Sequence, residues 1–167
     1  MNAPAEPLKR VAILIRDLLA VDESLVRIGR QNFEQADFET AYYVVDSLAQ
    51  AQSVSSLEIY DGDTEVLKLG SVWREAVTVD VYGPNAYSRA IELCLKLRSQ
   101  AARELRDTLG VAVYHPKGPT DLKQLTGQQY GERQQLEMQV EISLDVSIAT
   151  KRIDTVQLEI RTEKGIQ

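Results

Sequence analysis

Asp61, Asp63 and Glu65 stand at alternate positions around Gly62, the one place in this sequence where carboxylates are spaced as calcium ligands. An EF-hand loop needs glycine sixth, for its sharp turn, and a bidentate Glu twelfth, to close the coordination shell. Counted from Asp61, glycine is second and the twelfth residue is Val72. The pattern therefore reads as an Asp-Gly hairpin turn. His115 is the only histidine. Catalysis or metal ligation by it needs partners at defined spacing, and no HExxH, Cys-His or Ser-His-Asp set can be assembled around it. It reads as a strand-end residue before Pro116.

Cys94 is the only cysteine, which excludes an intramolecular disulfide and a thiolate metal cluster. It lies on the apolar stripe of a helix, where a buried small hydrophobe is the expected role. The nine glycines are scattered among turns, with no Walker or GxGxxG pattern to cradle a phosphate. Seven tyrosines make the enriched aromatic. Stacking platforms for single-stranded nucleic acid combine such rings with a positive groove, whereas the formal net charge here is −6 and the pI about 4.9. Core and interface packing suits these tyrosines better. No catalytic residue, cofactor or metal is expected.

The elements that must position these residues belong to one ordinary soluble chain of 167 residues, 44 % hydrophobic and 26 % charged. The apolar run Val11–Ile15 ends at Arg16-Asp17, too short for a signal peptide, and no run is long enough to cross a membrane. Pro7 to about Ala20 shows helical spacing through Leu8, Val11, Ala12, Ile15, Leu18 and Leu19. Residues 21–40 carry no pattern. A strand is expected over Ala41–Leu48, then a hairpin of 57–60 with 64–69 about Asp61-Gly62, and a second turn at Gly70-Ser71.

Val72–Tyr82 reads as a strand in which Val77, Val79 and Val81 alternate with Thr78, Asp80 and Tyr82. It stops at Gly83-Pro84, and one long helix is expected from Pro84 to Leu109, its stripe Tyr87, Ala90, Ile91, Cys94, Leu97, Ala101 and Leu105, with Gly110 as C′. A short strand, Val111–Tyr114, and a polar loop holding Leu122 and Leu125 follow. Leu136 to Ile148 then alternates apolar and polar without a miss, and Ile153–Ile160 returns as the second half of a hairpin. Its first half alone would run roughly 40 Å, longer than usual strands.

The expected fold class is α+β: a mostly antiparallel sheet with an N-terminal helix and one long helix on one face, plus a long C-terminal hairpin. The expected layout is a flexible tail at 1–6, a single domain over 7–161 with 134–161 projecting as a hairpin, and a flexible tail at 162–167.

Several short segments carry a family likeness. They are the N-terminal helix with the unpatterned segment after it, Val79-Asp80-Val81-Tyr82-Gly83, Asn85-Ala86 with Arg89-Ala90, Leu122 and Leu125 in the polar loop, and Tyr130 with Glu132-Arg133 before the alternating strand. In this order they resemble the tail-terminator, or neck, proteins of long-tailed bacteriophages, over most of residues 7–160.

The resemblance implies a non-enzymatic virion protein whose copies close into a ring, usually a hexamer, at the head-proximal end of the tail. Such rings stop growth of the tail tube and join it to the head connector, with DNA passing through the hole unbound. Implied partners are other copies of the chain, the tail-tube protein and the connector or stopper protein; assembly would take place in the host cytoplasm, away from membranes. Candidate subunit or partner contacts are Leu144, Val146, Ile148 and Arg152 on the projecting hairpin, with Tyr130 and Arg133. Candidate channel-lining residues are Asp61, Asp63 and Glu132. Alternatives are another connector, tail-completion or tube protein of the same fold, or a small ligand-binding module or enzyme. The last would need a pocket converging on His115, Tyr130 or Arg133.

Overall fold

A computed structural model describes residues 7–29, 40–48, 51–114, 116–122, 124–126 and 129–150. The expected tails, the return strand at 153–160, Arg152 and His115 lie outside the described residues.

The first helix, α1, spans Pro7–Leu19 as its spacing predicts, burying Val11, Leu14 and Ile15. After a 3-10 turn at Glu23–Leu25, the strand β1, Val26–Ile28, pairs in parallel with β2, Tyr42–Ser47. Three residues are too few to show a period, so this strand left no mark in the sequence pattern. Next come β3, Gln52–Asp61, and β4, Val66–Tyr82. The turn between them forms where Asp61-Gly62 predicts it. The Asp61 carboxylate accepts the backbone N–H of Asp63 at 3.0 Å, and Glu65 takes a positive φ of 53°.

No turn exists at Gly70-Ser71: both residues sit inside β4. The irregularity lies across from them, where β3 carries a bulge between Ser53 and Ser55, and the Ser71 hydroxyl reaches the Ser55 carbonyl at 2.8 Å. The expected single helix is two. Helix α2 runs Ala86–Lys96 and α3 runs Gln100–Leu109. Ser99, in extended conformation, caps α3 by accepting the Ala102 N–H at 3.2 Å, so the chain breaks where a serine offers the backbone an alternative. The expected stripe drifts accordingly: Tyr87 and Ala101 face solvent, while Ala86, Leu93 and Ala102 are buried. Pro84 precedes the helix, and Asn85 at φ 58° stands as its N-cap. Gly110 ends α3 in the left-handed conformation, as expected.

The remaining strands are β5, Val111–Tyr114; β6, Thr120–Asp121; β7, Gln124–Thr126; β8, Gln129–Gly131; and β9, Arg133–Ala149. A mixed seven-stranded sheet has the order β1-β2-β4-β9-β5, with β3 beside β4 and β6 beside β9, while β7 and β8 form a small sheet of their own. The class is α+β, antiparallel except at β1–β2.

One feature sets the shape. Strand β4 pairs with β9 over its whole length, from Tyr82↔Arg133 to Val66↔Ala149. Along its other edge β2 covers Val77–Tyr82, and β3 covers Val66–Arg74. Three strands thus run as one ribbon about 55 Å long at roughly 3.3 Å per residue. Among the described residues the helices cover only one end of it, where Val77, Val79, Val81, Leu136, Met138 and Val140 meet α1 and α2. The other end, from β3 and the distal halves of β4 and β9, projects as an arm. The long alternating strand was expected to pair with residues 153–160; among the described residues its full-length partner is β4, since the two carry matching alternation.

Candidate functional site

Two surfaces stand out, one at the root of the ribbon and one at its tip. At the root, the sheet face turned away from the helices carries a ladder that crosses four strands. Arg27 of β1 lies over the Tyr42 ring of β2, 4.9 Å from its centroid. Tyr42 stacks on its register partner Tyr82 of β4, centroids 4.7 Å apart and planes within 4°. Arg133 of β9 then lies over Tyr82 at 5.3 Å. Cross-strand aromatic pairs and arginine faces stabilise such a ladder by dispersion and by the ring quadrupole.

Asp80 anchors the far end. It is 5 % exposed, and its carboxylate accepts Arg133 Nη2 at 3.0 Å and Gln135 Nε2 at 3.1 Å. Burial alone would lower the Arg133 pKa; the hydrogen bond and charge of Asp80 outweigh it and hold the guanidinium above its ordinary value. Burial, with the Asp80 charge nearby, pushes the Tyr82 phenol up to about 12, and burial moves Tyr42 in the same direction. These three groups therefore stay fixed in charge across ordinary pH: Arg133 positive, both phenols neutral.

Behind the ladder, the Glu132 carboxylate accepts the backbone N–H of Ala86 at 3.0 Å, and the Glu132 carbonyl accepts the Gly83 N–H at 3.1 Å. The N-cap residue Asn85 makes no side-chain cap. A residue from the joint between β8 and β9 thus supplies the missing acceptor and favourable charge at the start of α2. Gly83, at φ 87°, lies so close to β2 that a Cβ there would come within 2.3 Å of the Thr40 carbonyl oxygen.

At the tip, the face continuous with the core carries Tyr60, Leu67, Leu69, Leu144, Val146 and Ile148, by the β3–β4–β9 register. Leu144 still packs against the edge of the core, whereas Val146 is 60 % and Ile148 43 % exposed. The opposite face exposes Leu57 and Ile59. Apolar side chains exposed in contiguous patches mark contact surfaces. Asp61 closes its own turn; hydrogen bonds from Thr64 and the Asp63 backbone hold its carboxyl below the usual range. Asp63 is exposed beside it.

The residues singled out in the sequence therefore fall into two groups. Leu144, Val146, Ile148, Asp61 and Asp63 belong to the arm; Arg133 and Glu132 belong to the root, about 35 to 50 Å away along the strand at roughly 3.3 Å per residue. Tyr130 lies in β8, paired with Leu125 of β7. The ladder of Arg27, Tyr42, Tyr82 and Asp80 was missed. Its signal was present: an aspartate between valines in a buried strand, on the same face as a tyrosine two residues on.

A cavity of about 150 Å³ lies between Leu48, Ala76, Lys117 and Glu137, an ion-paired and open setting. No group of three or more His, Cys, Asp or Glu that could hold a metal occurs among the described residues. Burial pushes the Cys94 thiol up, away from the nucleophilic thiolate, and its Sγ–H donates to the Lys117 carbonyl. Among the described residues no helix is long and apolar enough to cross a membrane.

Comparison with known proteins agrees with a role in assembly. No curated protein matches the chain. A family model described as phage neck terminator protein matches residues 10–166, nearly the whole chain, and spans the body, the ladder and the arm alike. On that match the chain belongs to the phage neck terminator family, structural proteins of the virion neck and not a family of enzymes.

Proposed function

We propose that copies of this chain close into a ring, a hexamer, at the head-proximal end of the phage tail, where the ring ends tube growth, joins the tail to the head connector and leaves a channel for DNA. The observation that carries this reading is the arm: among the described residues it is a three-stranded extension whose exposed Val146, Ile148 and Leu69 have no helix above them, although the same sheet face is sealed by helices at the root. A soluble chain that leaves such a face open is built to cover it with another protein.

The acidic balance suits the channel. Six copies carry about −36 formal charges (six times −6), and like charge keeps DNA from adhering as it slides. Asp61 and Asp63 at one end of the ribbon and Glu132 at the other can line one channel only if the ribbon runs along its axis. The structural partners in this reading are the tube protein on one side of the ring and the connector on the other.

Electron microscopy of particles assembled with and without the protein tests the role. With a tagged copy, the added density should sit at the head–tail junction. Without the protein, tails should vary in length and remain detached from heads. Tails of normal length joined to heads in its absence would overturn the reading.

A further inference from the structure

We infer that the arm of one copy docks on the helical layer of the next, head to tail, with charge setting the direction; this rests on the ring reading above. The chain as a whole is acidic, yet its charge is divided by place. Residues 7–19 and 86–109, which hold the three helices, carry eight Lys and Arg against four Asp and Glu. Among the described residues, the arm, 57–69 and 143–149, carries five acidic residues against Lys68 alone. An acidic projection and a basic layer on one molecule cannot meet within that molecule, because the arm points away from the end the helices cover. They meet between two copies.

Each surface also offers apolar area to match. On the arm, Val146, Ile148 and Leu69 are open, with Glu58 beside Leu69 in the register and Asp63 at the tip. On the helical layer, Tyr87 and Leu95 of α2 are 60 % and 64 % exposed, and Arg98 and Arg103 are exposed where α2 passes into α3. An apolar centre with an oppositely charged rim is the usual make-up of a specific interface, and the rim charges reject the wrong pairing. Arm on arm sets acid against acid; layer on layer sets base against base. Only arm on layer is attractive, and a heterologous contact of this kind, repeated with a rotation that divides the full turn, closes a ring.

Two exposed double substitutions test it. Glu58→Lys with Asp63→Lys reverses the arm, and Arg98→Glu with Arg103→Glu reverses the layer. Each variant of the full chain, with circular dichroism confirming that it folds, should need roughly tenfold or more protein to assemble than wild type. Mixed in equal amounts, the two should assemble again, since each reversed arm then meets a reversed layer and each native arm a native layer. Light scattering and native mass spectrometry read all three. If wild type forms rings and both variants form them equally well alone, the docking contact is wrong and the ring stands. If both variants fail and the mixture fails too, the arm and the layer are not partners. If wild type itself remains monomeric at every concentration, the ring reading falls, and this contact with it.

Discussion

The Glu132 carboxylate accepts a hydrogen bond from the backbone N–H of Ala86, 46 residues earlier in the chain, at 3.0 Å. It stands where Asn85 makes no cap of its own, so the start of α2 depends on the strand β9 being in place. Replacing Glu132 with Ala should cost about 1 kcal/mol, the ordinary worth of a capping acceptor, measured as a lower urea midpoint. Loss confined to assembly, with stability unchanged, would mean that Glu132 acts at the channel and not as a cap.

Gly83→Ala should be far more severe. The residue combines φ of 87° with a carbonyl 2.3 Å from where Cβ would stand, so both backbone strain and a steric clash with Thr40 oppose the substitution. A loss of at least about 2 kcal/mol is expected. Gly62→Ala, whose nearest neighbour would be Tyr60 at 3.8 Å, serves as the mild control in the same thermal-melt series.

Breaking the ladder at its charged end should cost about 3 kcal/mol. In Arg133→Met the Asp80 carboxylate, 5 % exposed, loses its guanidinium partner. The double variant with Asp80→Asn should recover much of that loss, because the stranded charge goes with it. A double-mutant cycle in urea reads the coupling.

Tyr82 makes alkaline stability testable. Its folded pKa of about 12 is raised above the ordinary 10, so between these values the unfolded chain has lost a proton that the folded chain keeps. Stability from this group is present below pH 10, declines as pH rises from 10 to 12, and is gone above that. Tyr82→Phe should be flatter over that window, and phenolate absorbance should show a tyrosine titrating late.

Position along the ribbon should decide what an introduced charge does. Val140 is 1 % exposed within the core, and aspartate there should unfold the protein. Ile148 is 43 % exposed on the arm, and Ile148→Asp should leave a folded monomer, within about 1 kcal/mol of wild type, that fails to form rings. A ring-forming Ile148→Asp would remove the arm from the interface.

Much of the fold was legible because the signals are local. The spacing in α1, the Asp-Gly turn, the alternation in β4 and β9 and Gly110 as helix end all depend on near neighbours in the chain. What was not legible depends on distant ones. Ser99 splits the long helix because α2 and α3 each pack on their own terms, and the apolar period alone carries straight across it. The full-length pairing of β9 with β4 is one of several partnerships open to a well-patterned strand, and no single sequence ranks them. The ladder needed register: Tyr42 and Tyr82 are ordinary tyrosines until the β2–β4 pairing sets them face to face. The candidate arm residues came from length and alternation; among the described residues the arm is three strands wide, a width that register alone reveals.

Native mass spectrometry of the purified full chain tests the central claim most directly. The ring reading predicts a species at about 112 kDa, six times 18.7 kDa, that dissociates when the arm or the helical layer is reversed in charge. A spectrum that stays at 18.7 kDa at every concentration, with tube and connector proteins present as well as absent, contradicts it.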